Sequence, residues 1–355
     1  MREQFWPYLV TLLVAWLATD LLIPWVTRLA YKLGRVDTPD ARKVHTVPIP
    51  RLGGVAIFLG FSIAVAAIEW LVPGPLFPRT GPYVGLIAGG ALIFLLGIAD
   101  DLKPLPAKFK LLMQIAAAGL AVYFGVRIDF LSNPQGGLIL LAPSIAIPLT
   151  IFWLVGITNT INLIDGLDGL AGGVSLIAAS TTAVIAWQTH QPLIALVAIA
   201  LIGATIGFLR YNWNPAKIFM GDSGSLFLGF TLATLSVIGV LKLVATAALL
   251  VPVLILGVPI FDTAFAIVRR ALQRRPIFSP DRGHLHHRLL GLGLSQRRAV
   301  IVIYGICLLL GGTALTLTGI HEGVVVLGTA VGLLAWGLSG LWGKSLKVTE
   351  TKPHA

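Results

Sequence analysis

LTIFWLVGITNTINLIDGLDGLAGGVSLIAASTTAVIAW, residues 149–187, holds two apolar runs separated by a short polar hinge. The runs belong to segments 140–158 and 169–188, each near the length of about 20 residues that crosses a hydrocarbon core as a helix. Between them lie Asn159, Asn162, Asp165 and Asp168. The stretch reads as two membrane helices meeting at one surface, with carboxylates and carboxamides gathered at the junction.

The rest of the chain repeats this pattern. Of 355 residues, 56% are hydrophobic and only 12% charged, and the mean hydropathy is +0.89. A soluble domain carries about a quarter charged residues, and here too little polar sequence remains to cover the apolar runs. The fold expected is an all-α integral membrane protein, one polytopic domain over 1–355. Its spans fall near 6–31, 52–72, 82–99, 108–126, 140–158, 169–188, 193–209, 224–241, 243–267, 299–318 and 323–342, eleven helices. The first apolar stretch runs on to about Ala30 and reads as a full span, not a cleavable signal. Cys307, the single cysteine, lies inside an apolar run, which excludes internal disulfides and Cys-based metal sites.

An odd number of spans puts the termini on opposite sides. Of the 26 Lys and Arg, all but Arg2, Arg79, Arg127 and Lys242 fall on the side that holds 28–51, 100–110, 159–168, 210–222, the long basic loop 269–298 and the short tail 343–355. That side is cytoplasmic by the positive-inside rule, with the N-terminus outside. The setting expected is the plasma (inner) membrane. The net charge of +11 then lies mostly on one face, where it can serve topology, anionic lipid or an anionic substrate. Nucleic acid is a poor partner, because the basic residues sit in short loops without a binding module. A homodimer is compatible with the sequence.

The acids map to the same face. Asp100 and Asp101 end the third helix in GIADDLKPL, Asp165 and Asp168 follow the fifth, and Asp222 lies in FMGDSGSLFLGF just before the eighth. A lone Asp at a span end reads equally well as a helix cap. Two adjacent carboxylates repel each other and need a cation, and a hard, oxygen-rich site suits Mg²⁺, with Mn²⁺ as the alternative. In a helical turn Asp165 and Asp168 share one face and Asn159 and Asn162 a neighbouring one. Gly166 and Gly169 keep that face open, unless they serve helix packing alone. GDSGS would present free backbone N–H groups to phosphate.

Two basic loops complete the set. DTPDARKVHTVPIPRLGG offers Lys43, His45 and Arg51 to an anion, or anchors topology. In the loop 269–298, HLHH places His284, His286 and His287 beside Arg282 and Arg288. Without Cys partners these residues suit a phosphate grip better than zinc. Asp262, well inside the ninth span, is a costly intramembrane acid and so a suspected functional residue. A transporter of anionic metabolites would also use intramembrane acids, but would spread polar residues over both sides and the midplane.

Taken in order, DTPDARKVHTVPIPRLGG, ADD, NTINLIDGLDGLAGG, GDSGSLFLGF and HLHH resemble the polyprenyl-phosphate N-acetylhexosamine-1-phosphate transferases of glycosyltransferase family 4, from about Asp37 to His287. The resemblance implies Mg²⁺-dependent transfer of a sugar-1-phosphate from a UDP-sugar to a polyprenyl phosphate in the membrane, with release of UMP. It implies Asp222 as the metal ligand, with Asp165 beside it. Asp100 and Asp101 would be the catalytic pair at the acceptor phosphate, and Asp165 and Asp168 catalytic acids of the nucleotide and metal region together with Asn162. His284, His286, His287 and Arg282 would meet the donor diphosphate, with Lys43 and Arg51 as further substrate contacts. Within the family, HLHH with Leu285 between histidines is similar to the branch using UDP-N-acetylglucosamine. The branch that transfers phospho-N-acetylmuramoyl-pentapeptide, with its run of adjacent histidines, is the alternative.

Overall fold

A computed structural model describes residues 5–38, 48–72, 81–132, 137–239, 250–273, 283–334 and 336. The chain is a helical bundle. Its helices are α1 (Trp6–Lys32), α2 (Gly53–Leu71), α3 (Pro82–Leu102), α4 (Ala107–Tyr123), α5 (Pro143–Ile164), α6 (Leu170–Gln188), α7 (Pro192–Asn212), α8 (Gly221–Ile238), α9 (Leu250–Ile255), α10 (Gly257–Leu272), α11 (Leu285–Gly291) and α12 (Gln296–Leu317). A further helix, α13, covers Gly323–Leu334. Among the described residues strand pairing is confined to two short antiparallel ribbons, β1 (Val36–Asp37) with β2 (Ile49–Pro50) and β3 (Phe130–Ser132) with β4 (Leu138–Leu140).

Among the described residues, 8 helices are long and apolar enough to cross a membrane: α1, α2, α3, α5, α6, α7, α8 and α12. Proline stands in the first two positions of α1, α3, α5 and α7, where a missing N–H costs nothing. The lipid-facing and central helices separate clearly. The most apolar window of α1 is only 28% buried, whereas that of α8 is 94% buried. On α1 the exposed side carries Leu9, Leu13, Leu17, Leu21 and Trp25, the apolar surface that hydrocarbon wets.

Small residues set how closely the other helices approach α8. A Cβ on Gly54 of α2 would lie 2.0 Å from the Gly224 backbone nitrogen, and one on Gly97 of α3 would lie 2.4 Å from Ser223 Cα. Both helices therefore rest backbone to backbone on the first turn of α8, the close packing that small residues allow in membranes.

The structure departs from the eleven expected spans in two places and describes a third only in part. The span expected over 108–126 is a helix of 17 residues. The span expected over 243–267 begins outside the described residues, and from Leu250 it is two helices, α9 and α10, broken at Leu256 (φ −101°, ψ 18°). Pro259 explains the break: it has no N–H for the carbonyl of Ile255, and its ring would clash there in a continuous helix, whereas in the first turn of α10 it is tolerated. The last expected span, 323–342, is described only as α13, and its remaining length, like the tail 343–355, lies outside the described residues apart from position 336.

Candidate active site

Three helix ends meet at one face of the bundle: the C-termini of α3 and α5 and the N-terminus of α8. The segment between β2 and α2 clamps the entry to α8. The Phe219 N–H donates to Pro50 O (2.7 Å), the Gly53 N–H to Phe219 O (2.9 Å) and the Gly54 N–H to Met220 O (2.7 Å). Gly221 turns the chain there with φ +71°, and a Cβ on it would meet Arg51 O at 2.3 Å and Asp101 Oδ2 at 2.6 Å. Only glycine satisfies both demands.

The paired aspartates have separate partners. Asp101 Oδ1 accepts the Asp222 N–H (2.8 Å), while Oδ2 accepts the Ser223 N–H (3.0 Å) and the Ser223 hydroxyl (2.6 Å). It thus caps α8 from another helix. The two N–H groups expected to be free for phosphate are therefore already bound by a carboxylate of the chain itself. Asp100 accepts the Leu105 N–H at Oδ1 (2.7 Å) and the Lys110 ammonium at Oδ2 (3.1 Å). Lys110, from the first turn of α4, lies equally close to Asp222 Oδ2 (3.1 Å). The other Asp222 oxygen accepts from Asn162 Nδ2 (3.1 Å), which also donates to Ser225 Oγ (2.8 Å). Asp222 itself stands inside the first turn of α8 rather than before it.

Asp165 differs from the others. Among the described residues none donates a hydrogen bond to its carboxylate. Burial first, then the negative charges of Asp222 and Asp101, push its pKa up to about 7, and the Arg51 charge only partly offsets them. Like charges around a partly buried carboxylate disfavour its ionised form.

The expected shared face of Asp165 and Asp168 is not formed, because α5 ends at Ile164 and residues 165–169 form a turn. Asp168 points the other way: its Oδ2 accepts from Asn214 Nδ2 (2.9 Å) and from the Ala216 N–H (3.0 Å). Gly169, at φ +79°, closes the turn. Its N–H donates to Asn212 Oδ1 (2.9 Å), and its carbonyl accepts the Tyr304 hydroxyl (2.5 Å). The turn is thereby tied to the segment that leads into α8.

The histidines lie across from this turn. His284 and His286 are buried and stack with ring centroids 5.9 Å apart and planes at 7°. His286 Nε2 occupies the space beside Gly166, 2.8 Å from where a Cβ would be. Burial, then the neighbouring His287, lowers the His286 pKa to about 4. His287 is exposed and follows on the same short helix, its ring 4.2 Å from that of His286. Arg51 is exposed, 3.7 Å from Asp37. Lys43 and Arg282 lie outside the described residues.

The structure therefore brings Asp100, Asp101, Asn162, Asp165, Asp222, Arg51 and His286 to one face and turns Asp168 toward Asn214. Among the described residues, no three carboxylates, thiols or imidazoles meet at metal-ligand distance. Sequence reasoning counted Lys110 only for topology and missed it as the bridge. It also missed the reciprocal amide pair Gln114–Asn159 (2.6 and 3.4 Å) just behind it. Lys110 lies within ten residues of the acidic pair, and α4 turns back on α3; that spacing was the available signal.

The sequence profile of glycosyl transferase family 4 matches residues 83–240, the stretch that carries every acid of this face. The chain is 45% identical over 304 residues to a Bacillus subtilis (strain 168) protein named probable undecaprenyl-phosphate N-acetylglucosaminyl 1-phosphate transferase, covering 86% of this chain and 83% of that one. It is 40% identical to the decaprenyl-phosphate N-acetylglucosaminephosphotransferase of Mycobacterium tuberculosis (strain ATCC 25618 / H37Rv), over 79% of this chain and 74% of the other. To the undecaprenyl-phosphate alpha-N-acetylglucosaminyl 1-phosphate transferase of Escherichia coli (strain K12) it is 28% identical, over 82% and 79%.

Proposed function

The chain belongs to glycosyl transferase family 4, and from that premise we propose that it transfers N-acetylglucosamine-1-phosphate from UDP-N-acetylglucosamine to a polyprenyl phosphate in the membrane, releasing UMP. The observation that carries the reading is Lys110 held between Asp100 and Asp222, beside Asp165, whose charge Arg51 only partly offsets. A net-acidic site of this kind would bind a divalent cation, and the cation and Lys110 together would offset charge between two polyanions.

In the reaction an oxygen of the acceptor phosphate bonds to the sugar-bearing phosphorus of the donor. The bond from that phosphorus to the bridging oxygen breaks, and the oxygen leaves with UMP. The acceptor phosphate is already largely ionised near neutral pH, so positioning and charge neutralisation contribute more than a base. Lys110 supplies a fixed positive charge among the acids, and Asn162 orients Asp222. Asp101, with both oxygens engaged, positions α8 and through it Asp222. Arg51, an exposed cation, and His287, an exposed imidazole, are assigned to the donor phosphates, and Lys43 and Arg282 to the same role by their motifs.

Asp165 and Asp222 would hold Mg²⁺, or Mn²⁺ in its place. The fit rests on Asp165: a half-buried carboxylate with no donor among the described residues, surrounded by like charges, is what a hard divalent ion satisfies. Bound there, the ion would supply positive charge to draw two polyanionic substrates together and to offset the charge developing on UMP. The Lys and Arg asymmetry supports an eleven-span arrangement, with the N-terminus outside and the site on the cytoplasmic face of the plasma membrane.

The relatives' names, all specifying N-acetylglucosamine phosphate transfer, support this sugar over the pentapeptide-bearing one. The test is a donor panel with purified full-length protein, polyprenyl phosphate and Mg²⁺. Radiolabelled UDP-N-acetylglucosamine should give labelled lipid and one UMP per label transferred. Label only from UDP-N-acetylmuramoyl-pentapeptide would overturn the sugar, and release of UDP in place of UMP would overturn the reaction class.

A further inference from the structure

Asp262 is an acid in the middle of α10 with no role in the acidic cluster described above. Isolated in a span it would be costly. It is not isolated: its Oδ2 lies 2.9 Å from His284 Nδ1, and its Oδ1 accepts the Leu285 N–H at 2.7 Å. Both side chains are nearly sealed, at 8% exposure for Asp262 and 6% for His284. Leu285 is the first residue of α11, a helix of 7 residues whose own N-cap, His284, makes no side-chain capping bond. Asp262 therefore supplies the cap that α11 lacks, from a different helix.

The same contact fixes the imidazole. A carboxylate at Nδ1 holds the ring in one orientation and leaves Nε2 as its outward nitrogen. The ring in turn stacks on His286, which sits against Gly166 next to Asp165. A small cavity at this junction has Asp262, His286, Leu285, Val258, Ile164 and Leu170 among its walls, so α10, α11 and the 165–169 turn meet there.

We infer that Asp262 is a positioning residue for donor binding: by holding His284 and capping α11 it sets the HLHH helix against the Asp165 turn. The inference rests on the reading of the site as one for a UDP-sugar. Asp262 touches no substrate in this scheme and acts through His284 and the first turn of α11. Replacing it with Asn keeps the side-chain shape but removes the charge, and leaves Asn to satisfy a ring nitrogen and a backbone N–H with one oxygen and one NH₂.

The test is a double-mutant cycle in the full-length protein, with Asp262→Asn, His284→Ala and the double variant. Asp262→Asn should lower kcat/KM for UDP-N-acetylglucosamine by about 10- to 100-fold, the scale seen when the carboxylate orienting a functional imidazole is lost. KM for polyprenyl phosphate should stay unchanged, and Asp262→Glu should recover part of the loss. In the His284→Ala background Asp262→Asn should cost less than it does in the parent, because their shared contact is already gone and only the α11 cap remains to be lost. A fully additive double variant, or a change confined to the acceptor KM, would overturn the inference.

Hydrogen exchange gives a readout that needs no reaction. Amides 285–291 should exchange faster in Asp262→Asn than in the parent, and unchanged exchange would overturn the capping contact. Failure of the parent protein to release UMP would instead count against the functional reading, with the exchange result still deciding the role of Asp262.

Discussion

Asp101 and Asp222, 121 residues apart in sequence, are joined through the backbone: the Asp222 N–H donates to Asp101 Oδ1 at 2.8 Å. With the two Ser223 contacts at Oδ2, this bond makes the end of α3 the cap of α8. The two aspartates should therefore fail differently when neutralised. Asp101→Asn turns an NH₂ toward backbone donors and should cost about 1–3 kcal/mol of stability, as well as activity. Asp222→Asn loses a contact to Lys110 or Asn162 but also the repulsion from Asp100 and Asp165, so it should leave thermal unfolding near the parent value while removing nearly all turnover. Thermal denaturation in detergent, beside UMP release, checks both. A stable Asp101→Asn or more than about a tenth of parental activity in Asp222→Asn, a loss of under about 1.4 kcal/mol, would count against these assignments.

Lys110 carries the second prediction. Lys110→Gln leaves Asp100 and Asp222 facing each other without the ammonium 3.1 Å from each. Turnover should fall by about 100-fold, as for other electrostatic contacts to developing charge. The sign at the metal is opposite. Loss of a positive charge beside Asp222 makes the site more negative, so Mn²⁺ titrated by electron paramagnetic resonance should bind the variant more tightly. Weaker binding would mean that Lys110 holds the ligands in place instead of competing with the ion.

Much of this arrangement was legible in the sequence, because membrane burial is written in composition and spacing. The eight long spans and the gathering of Asp100, Asp101, Asp165 and Asp222 follow from where apolar runs stop. The division of labour among the acids was not legible. Asp100 and Asp101 are adjacent, yet one faces Lys110 and the other the α8 N-terminus, a distinction set by helix rotation and close glycine packing. Asp168 looked like the partner of Asp165 because a helical turn was assumed across both. α5 stops one residue short of Asp165, and the partners of Asp168 come from a loop 46 and 48 residues away. Asp262 stood out as an intramembrane acid, but its partner lies 22 residues on, beyond any local pattern.

Sidedness is the third prediction. In a Cys307→Ser background, single cysteines at Lys103 and Lys217 should react with an impermeant thiol reagent only from the cytoplasmic side. A cysteine at Arg127 should react only from outside. All three positions are exposed, and removing the buried Cys307 leaves no competing thiol. External labelling at Lys217 would invert the orientation and move the acidic face out of reach of a cytoplasmic UDP-sugar.

His286 makes folding pH-dependent. Its pKa is lowered to about 4 by burial, then by His287 and His284, with Asp262 opposing. The unfolded chain takes up the proton near the ordinary histidine value and the folded chain does not, so this contribution is complete above about pH 6.5 and is lost as pH falls toward 4. On moving from pH 7 to 5, the parent should lose more thermal stability than His286→Gln. Equal losses would show that His286 titrates normally and is open to solvent.

Asp165 and Asp168 give the sharpest contrast, because two acids of one turn should respond in opposite directions. Asp165 is ionised against burial and like charges, with a pKa pushed up to about 7. For a carboxylate raised in this way, the folded state is penalised above the folded pKa and relieved as pH falls toward the unfolded value. Without added metal, Asp165→Asn should therefore stabilise the protein by on the order of 1–2 kcal/mol at pH 8, and the gain should fade by pH 5, while turnover is lost. Asp168 has two donors, Asn214 Nδ2 and the Ala216 N–H, and Asp168→Asn leaves at least one of them facing an NH₂. That variant should be destabilised by about 1–3 kcal/mol at either pH, with activity falling as the turn loosens. Thermal unfolding of both variants at pH 8 and pH 5, with chelator present, decides the matter. Destabilisation of Asp165→Asn at pH 8 would mean that its carboxylate is held by the protein, and would remove the main support for a metal at that position.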